Sequence, residues 1–466
     1  MTPRQRAAIR ENAKYLREVR PIDPGEIHEY VEGRPHPAAV RQVLREEAPD
    51  LGLVEREDGA FEPVSGEPVE EVSGTVERFP ERYARRLSDL LVERHGPGWP
   101  AGESGDDLRE AIRRLKQEYF AGADVEYDET AALGYAIYHL PDYYAAVQYV
   151  LDDLVEQRLL SRDLRVVDVG AGVGGPALGL ADYLPDDALL EYHAIEPSPA
   201  ADVLEALLAE TGRNVHATIH RERAEAVDPP DSDLLLFGNV LSELEEPLDV
   251  VRRYAGALAG DGTLLLLAPA DLETSTGLRE IERALAGEGM TVYSPTVRLW
   301  PGEEPADRCW SFDVRSDLAV PAFQRRLDDA AAGDGEFVNV DVQFSYALLR
   351  PDGTRRIALD PDPGRLAKMA DTDRHVTDRI DLAAVKLSHD LAAGGESNPV
   401  FLVGDGSQAV DHYAVLARET GLNDALREAA YGDLLLLESA LALWNDDEAA
   451  YNLVVDEETV VDRVRP

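Results

Sequence analysis

The sequence predicts an α/β fold: a doubly wound, Rossmann-like sheet with a helical region before it and a small all-β module after it. Three observations carry this. The run Leu164-Arg-Val-Val-Asp-Val-Gly-Ala-Gly-Val-Gly-Gly-Pro176 reads as a buried strand ending in an acid and a glycine-rich turn. Strands and helices alternate from Arg165 to Ala286, and short strands dominate beyond residue 378. The 466 residues suffice for two to four domains.

Taken in order, residues 1–20 predict an amphipathic helix. Arg6, Arg10, Lys14 and Arg17 share one face of it, either as a solvated face or as contacts to RNA phosphates. Residues 24–64 read as helix, helix and a hairpin turning at Asp58-Gly59, the order of a winged-helix-like module. Its second helix carries Arg41 and Arg45 beside Glu46 and Glu47, which argues against DNA reading and for a structural or protein contact. A helix from Pro141 to Leu154 puts Tyr144, Val147, Val150, Leu151 and Leu154 on one stripe for the sheet. Tyr135, Tyr138, Tyr143 and Tyr144 are candidates to line a cofactor mouth, or simply core.

The sheet strands are expected at Val166–Val169, Leu190–Ile195, Val215–Ile219, Asp233–Asn239 and Gly262–Ala268, with a helix at Gly277–Ala286. Cys309–Arg315 and Val342–Arg350 follow as two further strands without crossover spacing. Five crossover strands closed by a paired sixth and seventh is the architecture of class I methyltransferases. Domain boundaries follow: 1–104 helical, 105–352 the cofactor-binding sheet, 353–377 a Pro/Asp/Arg-rich linker, and 378–466 an OB-like β-barrel. The barrel strands are expected at 379–389, 399–405, 410–416, 432–443 and 450–463, with a helix near 422–430. Phe401, His412, Tyr413 and Trp444 are its candidate stacking rings, and Lys386 and Arg418 almost its only cations before the last residues.

Gly170, Gly172 and Gly174 allow a tight turn and close backbone approach to a ligand. Gly170, Gly172 and Gly175 also fit the dinucleotide pattern, so the glycines alone do not name the cofactor. The acids decide. Asp168 lies two residues before the first glycine, where an anionic pyrophosphate would be repelled and an ammonium welcomed. Glu196 ends the next strand, where a carboxylate can accept both hydroxyls of a ribose. S-adenosylmethionine carries a sulfonium, an ammonium and a ribose, and fits the pair; a nicotinamide dinucleotide and a ligand-free glycine turn are the alternatives. Asn239, closing the fourth strand, is a candidate for holding the acceptor or the cofactor amine, or for capping a helix. No catalytic base is identifiable, and Glu243 reads as a surface acid.

Composition bounds the setting. The 91 acids against 46 Lys and Arg give a net charge of −45, yet 44% of residues are hydrophobic, so this is a folded acidic chain. Lys14, Lys116, Lys368 and Lys386 are the only lysines. Acid spread through every segment suits a halophilic cytoplasm at molar salt, where screening falls to about 3 Å. The charged amino terminus and the lack of a long apolar run lead to the expectation of a soluble cytoplasmic protein with no membrane association. Cys309 is the only cysteine, so no disulfide and no metal cluster is expected, and His139, His193 and His375 lack the spacing of a zinc site.

Tyr135…Leu140-Pro141…Tyr144…Val150-Leu151, Val167-Asp-Val-Gly-Ala-Gly172, Leu241-Ser-Glu-Leu244, Arg308-Cys-Trp-Ser-Phe-Asp-Val-Arg315 and Gln343-Phe-Ser-Tyr-Ala-Leu-Leu-Arg350 stand in that order. Over residues 130–350 the chain resembles the methyltransferase-like proteins of the mitochondrial small ribosomal subunit and their prokaryotic relatives. The Cys-Trp-Ser-Phe and Phe-Ser-Tyr segments are its more specific marks. The resemblance implies binding to small-subunit rRNA (16S), for methylation or for assembly of the 30S particle. It also implies that Asp168, Gly170, Gly172 and Gly174 shape the methionine end and that Glu196 takes the ribose. Many relatives carry a cysteine cluster where this chain has Trp300–Cys309 with one thiol. A small-molecule methyltransferase is a further alternative.

Overall fold

The computed structural model describes residues 1–72, 74–120, 127–295, 298–331, 333–392 and 397–464. They form two compact units, Met1–Leu235 with Asp317–Asp341, and Leu236–Ser316 with Val342–Pro466. The division falls inside the fourth sheet strand, not at the sequence-expected boundaries.

The first unit opens with α1 (Pro3–Leu16), α2 (Pro24–Tyr30), α3 (Pro37–Glu46) and α4 (Ala48–Leu51), then the hairpin β1 (Leu53–Glu55) and β2 (Phe61–Pro63). Proline starts each of the first three helices, where its fixed φ is pre-organised and no N–H is missed. Ile9, Ala13, Ile27, Val40, Leu44, Leu53 and Phe61 close a small core. The helix, helix and hairpin expected over 24–64 are present, with the four-residue α4 between the second helix and the hairpin.

Helices α5 (Glu81–His95), α6 (Gly102–Phe120) and α7 (Glu129–Val155) follow. The helix expected from Pro141 begins twelve residues earlier and runs through that proline. Pro141 cannot donate to the carbonyl of Ile137. Gln324, from α12 (Ala322–Asp329), supplies the missing donor, its Nε2 lying 2.8 Å from that oxygen. Tertiary context therefore overrides the break. The predicted stripe from Tyr144 to Leu154 is buried.

Next come β3 (Asp163–Val169), α8 (Gly175–Tyr183), β4 (Leu189–Ile195), α9 (Ala200–Leu208), β5 (Val215–His220) and β6 (Ser232–Gly238). The order is β5-β4-β3-β6, with β3, β4 and β5 parallel. Val166, Val167 and Val169 are fully buried, as a strand covered on both faces requires.

The second unit continues with α10 (Pro247–Ala255), β7 (Leu258–Pro269), α11 (Leu272–Gly287), β8 (Thr291–Ser294), β9 (Asp313–Arg315) and β10 (Val342–Arg350). Its strands run β7-β10-β8, with β10 antiparallel to both neighbours. Numbered along the sheet, 3-2-1-4 in the first unit and 5-7-6 in the second are the orders of a class I methyltransferase. The sixth strand is β8, not Cys309–Arg315. Cys309 has φ of +45°, outside the extended region, and only Asp313–Arg315 pairs with β10.

The same unit ends in β11 (Arg379–Lys386), β12 (Val400–Gly404), β13 (His412–Leu416), α13 (Ala425–Glu428), β14 (Leu434–Asn445), β15 (Ala450–Val455) and β16 (Val460–Val464). Strands β11-β12-β13-β15-β14 close into a five-stranded barrel through the β11–β14 pairing. The strand expected over 450–463 is two, split by a turn in which Asp456 N donates to Thr459 Oγ1. Residues 353–377 are no free linker, because Ile357 and Met369 are buried in apolar clusters that hold barrel residues. Among the described residues no helix is long and apolar enough to cross a membrane.

Candidate functional site

Strand β3 delivers Asp168 to its carboxyl end, where the side chain is 1% exposed. The Tyr192 hydroxyl donates to Asp168 Oδ2 at 2.5 Å, and Oδ1 has no partner among the described residues. Burial pushes the carboxyl up to about 7; the Tyr192 hydrogen bond opposes this, and the nearby Glu196 charge adds to it. Sequence reading missed Tyr192. Its one signal is a hydroxyl at 192 on the face of β4 shared with Leu190 and Ala194, diagonal to Asp168 on the neighbouring strand.

The turn that follows is tied to the end of β4. Gly170 N and Ala171 N both donate to the Ile195 carbonyl, at 2.9 and 3.2 Å. Gly170, Gly172 and Gly174 all have positive φ, as expected of them. A Cβ at Gly172 would meet nothing closer than 4.0 Å, so that bend is bordered by open space. Gly174, by contrast, would drive a Cβ to 2.4 Å from Leu204 Cδ1. Gly175 and Gly179 serve packing: a Cβ on them would come 2.8 Å from Tyr143 Cβ and 2.4 Å from the Tyr144 carbonyl.

Glu196 is 7% exposed and grips two loops at once. Its Oε2 accepts from Gly172 N and its Oε1 from Ser198 N, each at 2.8 Å. Each oxygen keeps a second lone pair for a hydroxyl. The structure thus brings Asp168, Gly170, Gly172, Gly174 and Glu196 together at one strand edge. Tyr135, His139 and Tyr143 form a stripe on α7 beside Gly175, His139 and Tyr143 stacking at 5.2 Å and 7°. Tyr144 leaves that set: its hydroxyl donates to Asp182 and its ring packs edge-on against Phe79. Tyr138 carries the Lys116 ammonium over its ring at 3.8 Å.

These residues fit S-adenosylmethionine. A buried carboxylate with one unpartnered oxygen suits an ammonium, the bend at Gly172 leaves room for backbone approach, and Glu196 offers two acceptors. A cleft of about 890 Å³ lies elsewhere, at the amino ends of β4 and β5. Glu55, Glu57, Asp58, Asp186 and Asp187 line it, so it is not part of this site.

The second unit holds Asn239 just past β6, in the left-handed region at φ +58°. Its N–H donates to the Leu267 carbonyl at 2.9 Å, while both side-chain amide atoms are buried without partners among the described residues. The capping alternative is not realised: the short helix after it starts without a side-chain cap. Glu243 is exposed, as expected. In the same unit one polar network joins the two segments singled out by resemblance. Ser345 Oγ donates to the Ser311 carbonyl at 2.7 Å and meets Ser275 Oγ at 2.6 Å, while Ser311 Oγ meets Tyr431 Oη at 2.5 Å. Cys309, Ser311 and Asp313 point inward; Trp310 and Phe312 point out. Cys309 is fully buried, which pushes its thiol up to about 12. Among the described residues no group of three or more His, Cys, Asp or Glu is placed to hold a metal ion.

The cations weighed as nucleic-acid contacts are paired within the fold. Arg6 and Arg10 pair with Glu46, Glu47 and Asp50, Lys14 with Glu11, and Arg17 with Glu18 and the Leu51 carbonyl. Arg41 and Arg45 both clasp Glu55 of β1. In the barrel, Phe401 and His412 are core residues, not surface rings. Lys386 lies 4.2 Å above the Phe401 ring and donates to the carbonyls of Leu426, Arg427 and Ala429. Burial pushes its ammonium down to about 8. Arg418 faces Glu457. Trp444, 40% exposed, and half-buried Tyr413 are what remains for stacking.

Three family models match the chain. "Methyltransferase domain" covers residues 167–264, and the N-terminal and C-terminal domains of "Domain of unknown function (DUF8157)" cover 6–57 and 370–464. None of the curated proteins matches. Among solved structures, mitomycin 7-O-methyltransferase is 17% identical over 57% of this chain and 75% of its own, with TM-score 0.24. Magnesium protoporphyrin IX methyltransferase from Synechocystis PCC 6803, solved with bound SAM, is 13% identical over 52% of this chain and 97% of its own, with TM-score 0.28. A ribosomal protein L11 methylase from Lactobacillus delbrueckii subsp. bulgaricus is 21% identical over 32% and 70%, with TM-score 0.25. The family model over residues 167–264 and the strand order of the sheet agree on a methyltransferase-type fold.

Proposed function

We propose that this chain is an S-adenosylmethionine-dependent methyltransferase acting at the small ribosomal subunit, with 16S rRNA as acceptor. One observation carries the cofactor half: a buried Asp168 with one unpartnered oxygen, set beside a bend that Glu196 holds by the Gly172 N–H. Bound there, the cofactor supplies a methyl group on a sulfonium. Asp168 takes its ammonium and Glu196 its ribose hydroxyls. In the second unit, the Asn239 amide has two N–H donors and two lone pairs without partners among the described residues. The protein's contribution is mainly positioning and exclusion of water.

The ribosomal half rests on the resemblance over residues 130–350. It is supported by the bond between Ser345 and Ser311, which makes one unit of the two most specific segments. The closed five-stranded barrel, which we read as OB-type, supplies a further contact surface of the kind single strands use. A second reading, a cofactor-binding assembly factor without turnover, is favoured by the fourth-strand end. Phe237-Gly-Asn239 presents an amide and no side chain that takes up a proton.

Equilibrium dialysis with labelled S-adenosylmethionine at molar KCl tests the first half, and absence of binding removes the enzyme. Sedimentation of the tagged protein in high-salt lysate tests the second. Co-migration with 30S particles is expected; failure to co-migrate turns the acceptor into a small molecule. Methyl mapping of 16S rRNA from a deletion strain separates enzyme from factor, because unchanged marks leave only the factor.

A further inference from the structure

Of the two outward rings in the Cys-Trp-Ser-Phe segment, Trp310 is the more exposed, at 42%. A large ring in that position is ordinarily a loose surface feature, but this one is fixed. Its indole Nε1 donates to the Ala270 carbonyl at 2.9 Å, and its backbone neighbours Cys309 and Ser311 are both fully buried. The orienting entropy of the ring is thus already spent within the fold. Phe312 follows at 5.9 Å from it, and His389 lies 5.4 Å beyond Phe312, so three rings form a continuous strip.

The position of the strip is informative. Ala270 lies three residues past Leu267, whose carbonyl holds Asn239, so about 10 Å of extended backbone separates the two anchors. Asn239 contributes an independent sign of a ligand, since its buried amide donor and acceptor are both unpartnered. A flat π-face, with an unpartnered donor and acceptor anchored about 10 Å away along the same strand, matches a heteroaromatic ring, which has a face to stack and an edge to read. Arg308, two residues before Trp310 in the chain and with its side chain 63% exposed, holds Asp411 by a single 3.2 Å contact.

We propose that Trp310, Phe312 and His389 form the platform on which the methyl acceptor stacks as a planar nitrogen heterocycle, its edge addressed by Asn239. This rests on the methyltransferase reading and deepens it by naming the acceptor class. Such a ring arrives either as a base of single-stranded RNA or as a free heterocycle, and the test separates the two.

Fluorescently labelled oligoadenylate and free adenosine are titrated against the full chain in molar KCl, with S-adenosylmethionine affinity measured on the same samples. Trp310→Ala is expected to weaken ring binding about tenfold, Trp310→Phe to keep most of it, and both to leave cofactor affinity unchanged. Oligoadenylate binding more tightly than adenosine assigns the platform to RNA; equal binding assigns it to a free heterocycle. Wild-type affinity for both probes in Trp310→Ala overturns the proposal, as does a wild-type chain that takes up the cofactor and neither probe. Loss of cofactor binding by the wild-type chain itself sinks the methyltransferase reading instead.

Discussion

Replacing Asp168 by Asn should make the ligand-free protein more stable at pH 8 and a worse binder of S-adenosylmethionine. The carboxyl is fully buried and lifted to about 7, whereas an unfolded aspartate titrates near 3.9. The folded state therefore holds the extra proton between those values, and stability falls as pH rises from about 4 to about 7, then levels. This is the reverse of a salt-bridged aspartate. Three units at 1.36 kcal/mol set a ceiling of about 4 kcal/mol on the penalty at pH 8. Asn keeps an acceptor for the Tyr192 hydroxyl but loses the charge assistance, so we expect a gain of about 1–3 kcal/mol. Urea midpoints for both proteins at pH 5 and pH 8, in constant KCl, measure it. The difference between the two proteins should shift in favour of Asp168→Asn by about 2.7 kcal/mol from pH 5 to pH 8, two of the three units. Cofactor affinity should climb with pH through about 7 in the wild type and stay flat in Asp168→Asn. Equal destabilisation at both pH values would refute the idea of an ionised carboxylate held at a cost.

Other substitutions probe the remaining contacts. Glu196→Gln leaves an NH₂ facing either Gly172 N–H or Ser198 N–H, a loss of about 1–3 kcal/mol that should appear as a tenfold or greater fall in cofactor affinity by dialysis. Gly179→Ala places a Cβ 2.4 Å from both the Tyr144 carbonyl and Val147 Cγ1, and should cost more stability than Gly172→Ala. The latter meets only its φ of +54°, worth about 1–2 kcal/mol; urea midpoints rank the two. Arg279→Met strands the buried Glu282 carboxylate and should destabilise the second unit by about 3–5 kcal/mol, with the double replacement Arg279→Met, Glu282→Leu recovering much of it.

Strands β3 and β6 were legible because both their faces are covered, which puts apolar residues at consecutive positions such as Val166-Val167 and Leu234–Phe237. What escaped was set by partners distant in sequence. Pro141 passes through α7 only because Gln324 donates to Ile137, and nothing near 141 announces a residue nearly two hundred positions away. Strand β8 has four residues, Thr-Val-Tyr-Ser, too few for a period to register. Cys-Trp-Ser-Phe alternates in burial as a strand does, yet it is held by side-chain bonds from Ser345 and Tyr431, so periodicity found the alternation and misnamed its cause. Asp168 and Glu196 were placed at strand ends from spacing alone. Tyr192 and the clasp on Gly172 were not, since a sequence shows which groups are polar but not which of them meet.

The glycines of α8 have a mechanical corollary. Where Gly175 and Gly179 let α7 approach to within a methyl group's width, the two elements have no slack between them, and a shift of one must be followed by the other. Helix α7 runs for 27 residues, about 40 Å, and is seated on α8 directly after the glycine bend. A sub-ångström adjustment at that seat is delivered along its length to the ring stripe of Tyr135 and His139.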